Sequence, residues 1–363
     1  MIPVYLSQLQ LQSALGGTLA QAATGYTQGK LPALTSDNAA LAGGYFAVDA
    51  PTQDLHSRLQ RLLQSTLDAA ELNAADCLLL VASTALDVSL LEQRLAQGEA
   101  LSMAMLPAFD DFAASISAKF NFAAIRIINT ACTSAANALL YGQRMLQAGL
   151  YQRVLLLAFE PPGHITRTGF SALELTSQSG QYRPFHPQRD GLILGEAYAT
   201  AVLSSTADKA PQAVLLGGFS ACDTHNITTT AEDGSHIAAV MQQALQQTGL
   251  QSSDIALLKL HGTATAANDS AEHNGVMRVF NQPLPALTVL KPYLGHTLGA
   301  CGLTELALLF AGLQQGALPA LPYATAASLP FSSAPQHIAA QAVIMANFFG
   351  FGGNNASLLL RSC

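Results

Sequence analysis

Cys132 lies in Asn129-Thr130-Ala131-Cys132-Thr133-Ser134-Ala135-Ala136-Asn137, where an apolar run (Ile125–Ile128) gives way to small and polar residues and then to a helical pattern. A thiol at or near a helix start sits among unpaired backbone amides and the positive end of the helix dipole, which favour a thiolate. The same amides can hold the oxyanion formed when a thioester carbonyl is attacked. A small cysteine packed within a helix is the plain alternative for this segment alone.

Two histidines invite the same weighing. His261 (Leu260-His261-Gly262-Thr263-Ala264-Thr265) and His296 (Leu294-Gly295-His296-Thr297-Leu298-Gly299) each leave an apolar run and enter a Gly/Thr loop. α/β proteins put functional side chains in such places, although either histidine taken singly also reads as a satisfied core residue. Lys291 and Glu305 are isolated charges in apolar surroundings. A buried charge is costly unless paired, so the spacing suggests a Lys291–Glu305 ion pair near His296, with solvent-facing positions as the alternative. The Gly-rich segment Asn347–Asn355 runs into a strand-like stretch, Ala356–Leu360. A phosphate-cradling loop should lead into a helix, so a tight, backbone-exposing turn fits better.

The elements that must position these groups alternate along the chain. Cys77–Ala82, Val154–Phe159, Ala213–Gly217, Ile255–Leu260, Ala286–Leu290 and Ala356–Leu360 read as buried strands. Helical runs lie between them at Gln53–Leu67, Ala131–Leu146, Ser235–Thr248 and Leu303–Leu313, which argues for α/β architecture with largely buried sheets. There is an internal echo: Ala131-Cys132 opens one run carrying Leu139-Leu140, and Ala300-Cys301 opens another carrying Leu308-Leu309. Two similar halves joined near Thr206–Gln212 would produce it.

Composition limits the function classes. Only 11% of the 363 residues are charged and 50% are apolar, and no Asp, Glu, Lys or Arg occurs from Leu306 to Leu360. A membrane span needs about 20 mostly apolar residues in a row. The best candidate, Leu306–Leu313, is followed at once by Gln314, Gln315 and Gly316, so no span is expected. The uncharged N-terminus carries Gln8, Gln10 and Gln12 and no basic region, unlike a secretory signal. Five cysteines without a CxxC pair suggest neither disulfide framework nor metal site, and a reducing cytoplasm is expected. A net charge of −7 leaves no electrostatic footprint for nucleic acid.

Taken together and in order, five segments resemble the β-ketoacyl–acyl carrier protein synthases, condensing enzymes of the thiolase fold. They are Thr130-Ala131-Cys132-Thr133-Ser134; Arg183-Pro184-Phe185 through Arg189-Asp190-Gly191 to Gly195-Glu196; His261-Gly262-Thr263-Ala264-Thr265; Lys291 through Gly295-His296-Thr297-Leu298-Gly299-Ala300; and Phe349-Gly350-Phe351-Gly352-Gly353-Asn354-Asn355. The resemblance runs from about Pro3 to the C-terminus. It implies a duplicated five-layer α/β/α/β/α fold, with residues 1–206 carrying the nucleophilic cysteine and 207–363 carrying both histidines and the Gly-rich loop. It implies decarboxylative Claisen condensation of an acyl-thioester with malonyl-acyl carrier protein, in fatty-acid or type II polyketide synthesis. Cys132 then matches the nucleophile, His261 and His296 the pair that assists decarboxylation, and Lys291 and Glu305 the charges that organise the second histidine. Thr263 and Thr265 match hydroxyls that bind the pantetheine arm. Phe351 matches the gate, its amide joining that of Cys132 in the oxyanion hole.

No cofactor is implied beyond the phosphopantetheine of the acyl carrier protein, and the implied partners are that protein and a second ketosynthase-like subunit, identical or different. Arg58 and Arg61 fall where the family often carries a basic patch for the carrier, a solvated helix face being the plain reading. The chain is a few dozen residues shorter than typical members, mostly before Cys132. Its first strand, Ile2–Leu9, lacks the usual Gly-rich start, and Ala266 replaces a proline. Trimmed loops and low charge resemble the chain-length-factor subunits, which makes a non-catalytic partner that shapes an acyl tunnel the alternative. Those partners usually lack the cysteine kept here. A Cys–His hydrolase is disfavoured, because two loop histidines plus Lys291 exceed what hydrolysis requires.

Overall fold

The computed structural model describes residues 2–35, 44–48, 54–86, 88–100, 102, 109–207, 209–226 and 230–363. Its first half runs β1 (Val4–Ser13), α1 (Leu19–Thr27), β2 (Tyr45–Phe46), α2 (Leu55–Ala70), β3 (Cys77–Ala82), α3 (Val88–Ala96), α4 (Phe109–Ser117), β4 (Ala124–Ile128), α5 (Ser134–Gln147), β5 (Arg153–Glu160), α6 (His164–Ala172), β6 (Leu194–Gly195) and β7 (Ala197–Ser204). The second runs β8 (Ala213–Cys222), α7 (Ser235–Thr248), β9 (Ile255–Lys259), α8 (Ala266–Val279), β10 (Ala286–Thr288), α9 (Lys291–Leu294), α10 (Cys301–Gln314), β11 (Val343–Phe349) and β12 (Asn354–Ser362).

Ten strands lie in the order β10-β9-β11-β12-β8-β1-β7-β5-β3-β4. The order is two five-strand arrays meeting at β8 and β1, where Val4–Leu6 pair antiparallel with Ala213–Leu215. From that join outward the arrays repeat each other. Two antiparallel pairings (β1·β7 and β7·β5; β8·β12 and β12·β11) are followed by two parallel ones (β5·β3 and β3·β4; β11·β9 and β9·β10). The internal echo in the sequence corresponds to α5 and α10, which are packed against each other between the two arrays. Gly302 makes that contact possible, since a Cβ there would stand 2.4 Å from the Ala136 amide nitrogen. With α2 on the outer side of the first array and α7 and α8 on the outer side of the second, the layers are α/β/α/β/α.

Strand alternation divides the core. In β3, Leu78, Leu80 and Ala82 join the central cluster with α5 and α10, while Cys77, Leu79 and Val81 face α2 and α4. Covered on both faces, such strands carry apolar residues at every position. Helix α10 is buried all round, which explains its lack of a polar face. The boundaries differ from expectation at two places that matter. Helix α5 starts at Ser134 rather than Ala131, because Ala131 adopts a left-handed backbone (φ +52°) that no helix accommodates. Strand β1 reaches Ser13, with a bulge between Ser7 and Gln10. Gln53, the expected first residue of α2, and Asp208, in the expected join, lie outside the described residues.

Candidate active site

The left-handed turn at Ala131 lifts Cys132 out of the strand-to-helix connection. An alanine there costs about 1 kcal/mol, so its surroundings must hold it. Ser134 does so, donating to the Ala131 carbonyl (2.6 Å) and accepting from the Thr130 amide (2.9 Å), while Cys301 Sγ donates to the Cys132 carbonyl (2.9 Å). Opposite the thiol lies the Gly-rich turn. A Cβ on Gly350 would stand 3.1 Å from the Cys132 nitrogen, so a larger residue would crowd the turn against Cys132. The backbone amides of Phe351 and of Cys132 itself favour the anionic form of the sulfur. Burial outweighs them: it pushes the thiol up to about 11, with Lys291 and the two amides opposing and Glu160 assisting. Cys132 does stand next to the start of α5, just before its N-cap Thr133, as expected, but burial opposes the thiolate expected there.

His261 and His296 stand edge to face with ring centres 5.5 Å apart, both buried. Burial first, then the Lys291 charge, holds each well below the ordinary histidine value, so both are neutral. Lys291 donates to Glu305 Oε1 at 2.6 Å, as the sequence suggested, but its other contact is His261 Nδ1 at 3.2 Å. The pair therefore makes its hydrogen bond to the first histidine and acts on the second through the Lys291 charge. An ammonium donating to Nδ1 leaves the His261 proton on Nε2. His296 Nδ1 meets no hydrogen-bond partner among the described residues.

Sequence reasoning missed four buried charged groups around these loops. Glu272, on α8, accepts the amides of His261 (2.7 Å) and Gly262 (2.8 Å), and Asp269, one turn earlier, accepts those of Thr263 (3.0 Å), Ala264 (3.2 Å) and Phe185 (2.6 Å). Two acids three apart, directly after a Gly/Thr loop, were the available signal. Burial pushes Glu272 up to about 7 and Asp269 to about 6. Glu160, at the end of β5, accepts from Thr84 and from the Gly299 amide (3.1 Å), and burial pushes it to about 7. The fourth is Lys259, at the end of β9, whose ammonium lies 2.5 Å from Glu305 Oε2. It hid inside an apolar strand run.

His296 is fixed through its backbone, its amide donating to Ile193 O (2.7 Å) and its carbonyl accepting from Gly195 (3.1 Å). Gly195 leaves no room for a side chain, since a Cβ would stand 2.1 Å from Leu294 O. Cys132, His261, His296, Thr263, Thr265 and Phe351 all line one cavity of about 410 Å³. The two threonine hydroxyls lie 2.8 Å apart on its wall, and the Phe351 ring stacks on Phe170 of α6 (5.4 Å between centres, 15° between planes).

Arg58 is corrected. Its side chain is buried, 4.6 Å from the Tyr198 ring centre and 3.7 Å from Glu196 Oε1. It falls on the stripe of α2 marked by Leu55, Leu59 and Leu62, which packs on the sheet, so it offers no charge to a partner. Arg61, elsewhere on that helix, is exposed.

The chain matches the β-ketoacyl synthase N-terminal domain over residues 55–209 and the β-ketoacyl synthase C-terminal domain over residues 212–324. It belongs to the β-ketoacyl synthase family. Curated relatives include the mitochondrial 3-oxoacyl-[acyl-carrier-protein] synthase of Arabidopsis thaliana (29% identical over 256 residues, 64% of this chain and 55% of the relative) and 3-oxoacyl-[acyl-carrier-protein] synthase 2 of Rhizobium meliloti (30% over 250 residues, 64% and 59%). The chain thus spans little more than half the length of these relatives. Among solved structures, a chain of a ketosynthase in complex with its chain length factor from Xenorhabdus doucetiae superposes with a TM-score of 0.83 at 22% identity, covering 99% of this chain and 98% of that one. A β-ketoacyl synthase from Burkholderia phymatum gives 0.83 at 24%, with both chains covered completely. The β-ketoacyl synthase fold is shared throughout. Among the described residues no helix is long and apolar enough to cross a membrane.

Proposed function

We propose that this β-ketoacyl synthase is a catalytic condensing subunit, which loads an acyl group onto Cys132 and extends it with a malonyl unit carried on acyl carrier protein. The observation that carries the reading is the convergence, in one cavity, of a thiol, the Phe351 turn whose amide favours its anion, and two neutral imidazoles. In the first step Cys132 Sγ attacks the acyl thioester carbonyl. Its oxyanion is held by the Cys132 and Phe351 amides. Because burial keeps the thiol protonated, the S–H proton leaves as the C–S bond forms. His261 already carries a proton on Nε2, so His296, whose tautomer Lys291 does not fix, accepts it and returns it to the departing pantetheine thiol.

In the second step the carbon–carboxylate bond of the malonyl thioester breaks and carbon dioxide leaves. The electron pair moves onto the thioester oxygen as an enolate, where N–H groups of His261 and His296 receive it. The enolate carbon then attacks the acyl-Cys132 carbonyl, and the Cys132 sulfur leaves as a thiolate that takes a proton from solvent water, because its original proton left with the pantetheine thiol in the first step. Thr263 and Thr265 bind the pantetheine arm along the cavity wall, and Phe351, backed by Phe170, gates the sulfur. The steps use protein groups, the carrier-borne thioester and that solvent proton alone. The subunit works with acyl carrier protein, in a dimer with a copy of itself or a related subunit, and in the cytoplasm.

Intact-protein mass after incubation with acyl- and malonyl-carrier protein tests this. The wild type gains the acyl mass and releases a β-ketoacyl product, and Cys132→Ala does neither. A wild type that never acylates, with turnover only in a co-purified synthase, would make the chain a chain-length-factor-like partner. Thioester hydrolysis without a new carbon–carbon bond would make it a hydrolase.

A further inference from the structure

Among the buried charges that the mechanism above does not use is a lysine. Lys259 is 0% exposed, and its Nζ has three neighbours: Glu305 Oε2 at 2.5 Å, the Asn347 carbonyl at 2.7 Å and the face of the Phe348 ring, 3.5 Å from its centre. Those are three acceptors for three N–H groups. A neutral amine would turn its lone pair toward one of them, and the ring face attracts a cation. The geometry therefore identifies an ammonium. Glu305 gives its other oxygen to Lys291, so two ammonium groups share one carboxylate in a region without water-exposed atoms. A buried ion pair ordinarily balances its charges, because an uncompensated one is expensive. This cluster keeps a surplus.

We propose that Lys259 is a second positioning cation of the reaction centre: by sharing Glu305 with Lys291, it leaves one net positive charge beneath His261 and His296 and holds both imidazoles as neutral N–H donors. The proposal rests on the condensing reading. The groups that face the two histidines come from every surrounding element: Lys259 from β9, Lys291 from α9, Glu305 and Cys301 from α10, Glu272 and Asp269 from α8, Glu160 from β5 and Cys132 from the loop before α5. Glu272 and Asp269 accept mainly backbone amides and Glu160 accepts Thr84 and the Gly299 amide, and burial raises all three toward the neutral acid, which weakens their opposition to the two lysines. Both lysines lower the proton affinity of both histidines. Burial and Lys291 also lower that of Lys259, while Glu305 opposes them. The function follows from the reaction: an imidazolium would carry the wrong charge state into the acylation step, whereas a nearby fixed cation favours an enolate without donating a proton.

Two measurements on the full-length protein test this. In wild type labelled with ¹⁵N-lysine, and assigned with Lys259→Arg, the Lys259 Nζ resonance is expected at the ammonium position at pH 7; an amine resonance overturns the proposal. With ¹⁵N-histidine, Lys259→Met is expected to raise the protonation midpoints of His261 and His296 by about one pH unit, whereas Lys259→Arg keeps them low. Unchanged midpoints in folded Lys259→Met overturn it, and so do raised midpoints in Lys259→Arg. Should Lys259→Met not fold, the wild-type Nζ resonance and the Arg variant still decide. Neither measurement uses substrate, so a protein that passes both but never decarboxylates malonyl thioester refutes the condensing reading and not the role of Lys259. In an active protein, the acid limb of decarboxylation moves up with the histidine midpoints in Lys259→Met.

Discussion

The reactivity of Cys132 toward an alkylating agent depends steeply on pH, because burial outweighs the two amides and the lysine that favour its anion. With the thiol held at about 11, the thiolate is about one part in ten thousand at pH 7. Each pH unit raises that share tenfold, so alkylation by iodoacetamide accelerates about a hundredfold between pH 7 and pH 9 with no plateau. The reagent has a path, since the thiol lines the open cavity. Cys132 modification is followed by peptide mass against time, with Cys132→Ala as the blank for the remaining cysteines. Lys291→Met should shift the profile further upward, because Lys291 is the largest of the groups favouring the anion. A rate that levels off with a half-maximum near pH 7 to 8 would refute the reasoning. The amides and Lys291 would then outweigh burial, and the cysteine would be poised before substrate arrives.

Three further outcomes follow from the same structure. Gly195→Ala forces a Cβ into the Leu294 carbonyl and displaces the strand that holds His296; it should cost about 1–3 kcal/mol in chemical denaturation and reduce condensation more than Cys132 acylation. Arg58→Glu sets a second carboxylate beside buried Glu196 and should lower the melting temperature by several degrees, which separates a core residue from a docking residue. Glu160 binds its proton more tightly folded than unfolded, so its contribution is fully present below about pH 4 and lost as pH rises through about 7. Wild type should therefore lose about 3 kcal/mol over that window from this group, read by urea denaturation at each pH, and Glu160→Gln should flatten that slope.

Periodicity and residue type were enough to place most of the scaffold and the side chains that meet in the candidate site. The strand runs at Cys77–Ala82 and Val154–Phe159 and the helix Ser235–Thr248 were legible because a segment covered on both faces is apolar throughout, and one covered on a single face is striped. Cys132, His261 and His296 stood out because a thiol or imidazole beside small residues is rare enough to notice. The Lys291–Glu305 pair was legible because isolated charges in an apolar stretch need partners. Only the folded chain decided which partners. Lys291 turns to His261 rather than His296, and Lys259 joins the same carboxylate from a strand 46 residues away. Arg58 shows the same limit on a helix, since its burial depends on which stripe meets the sheet and on Glu196 waiting there. The state of the Cys132 proton was decided by tertiary structure as well. Helix ends and neighbouring amides are local and visible in sequence, but the loss of water around the thiol is the work of segments far apart in the chain. Desolvation is collective, and here it is the larger effect.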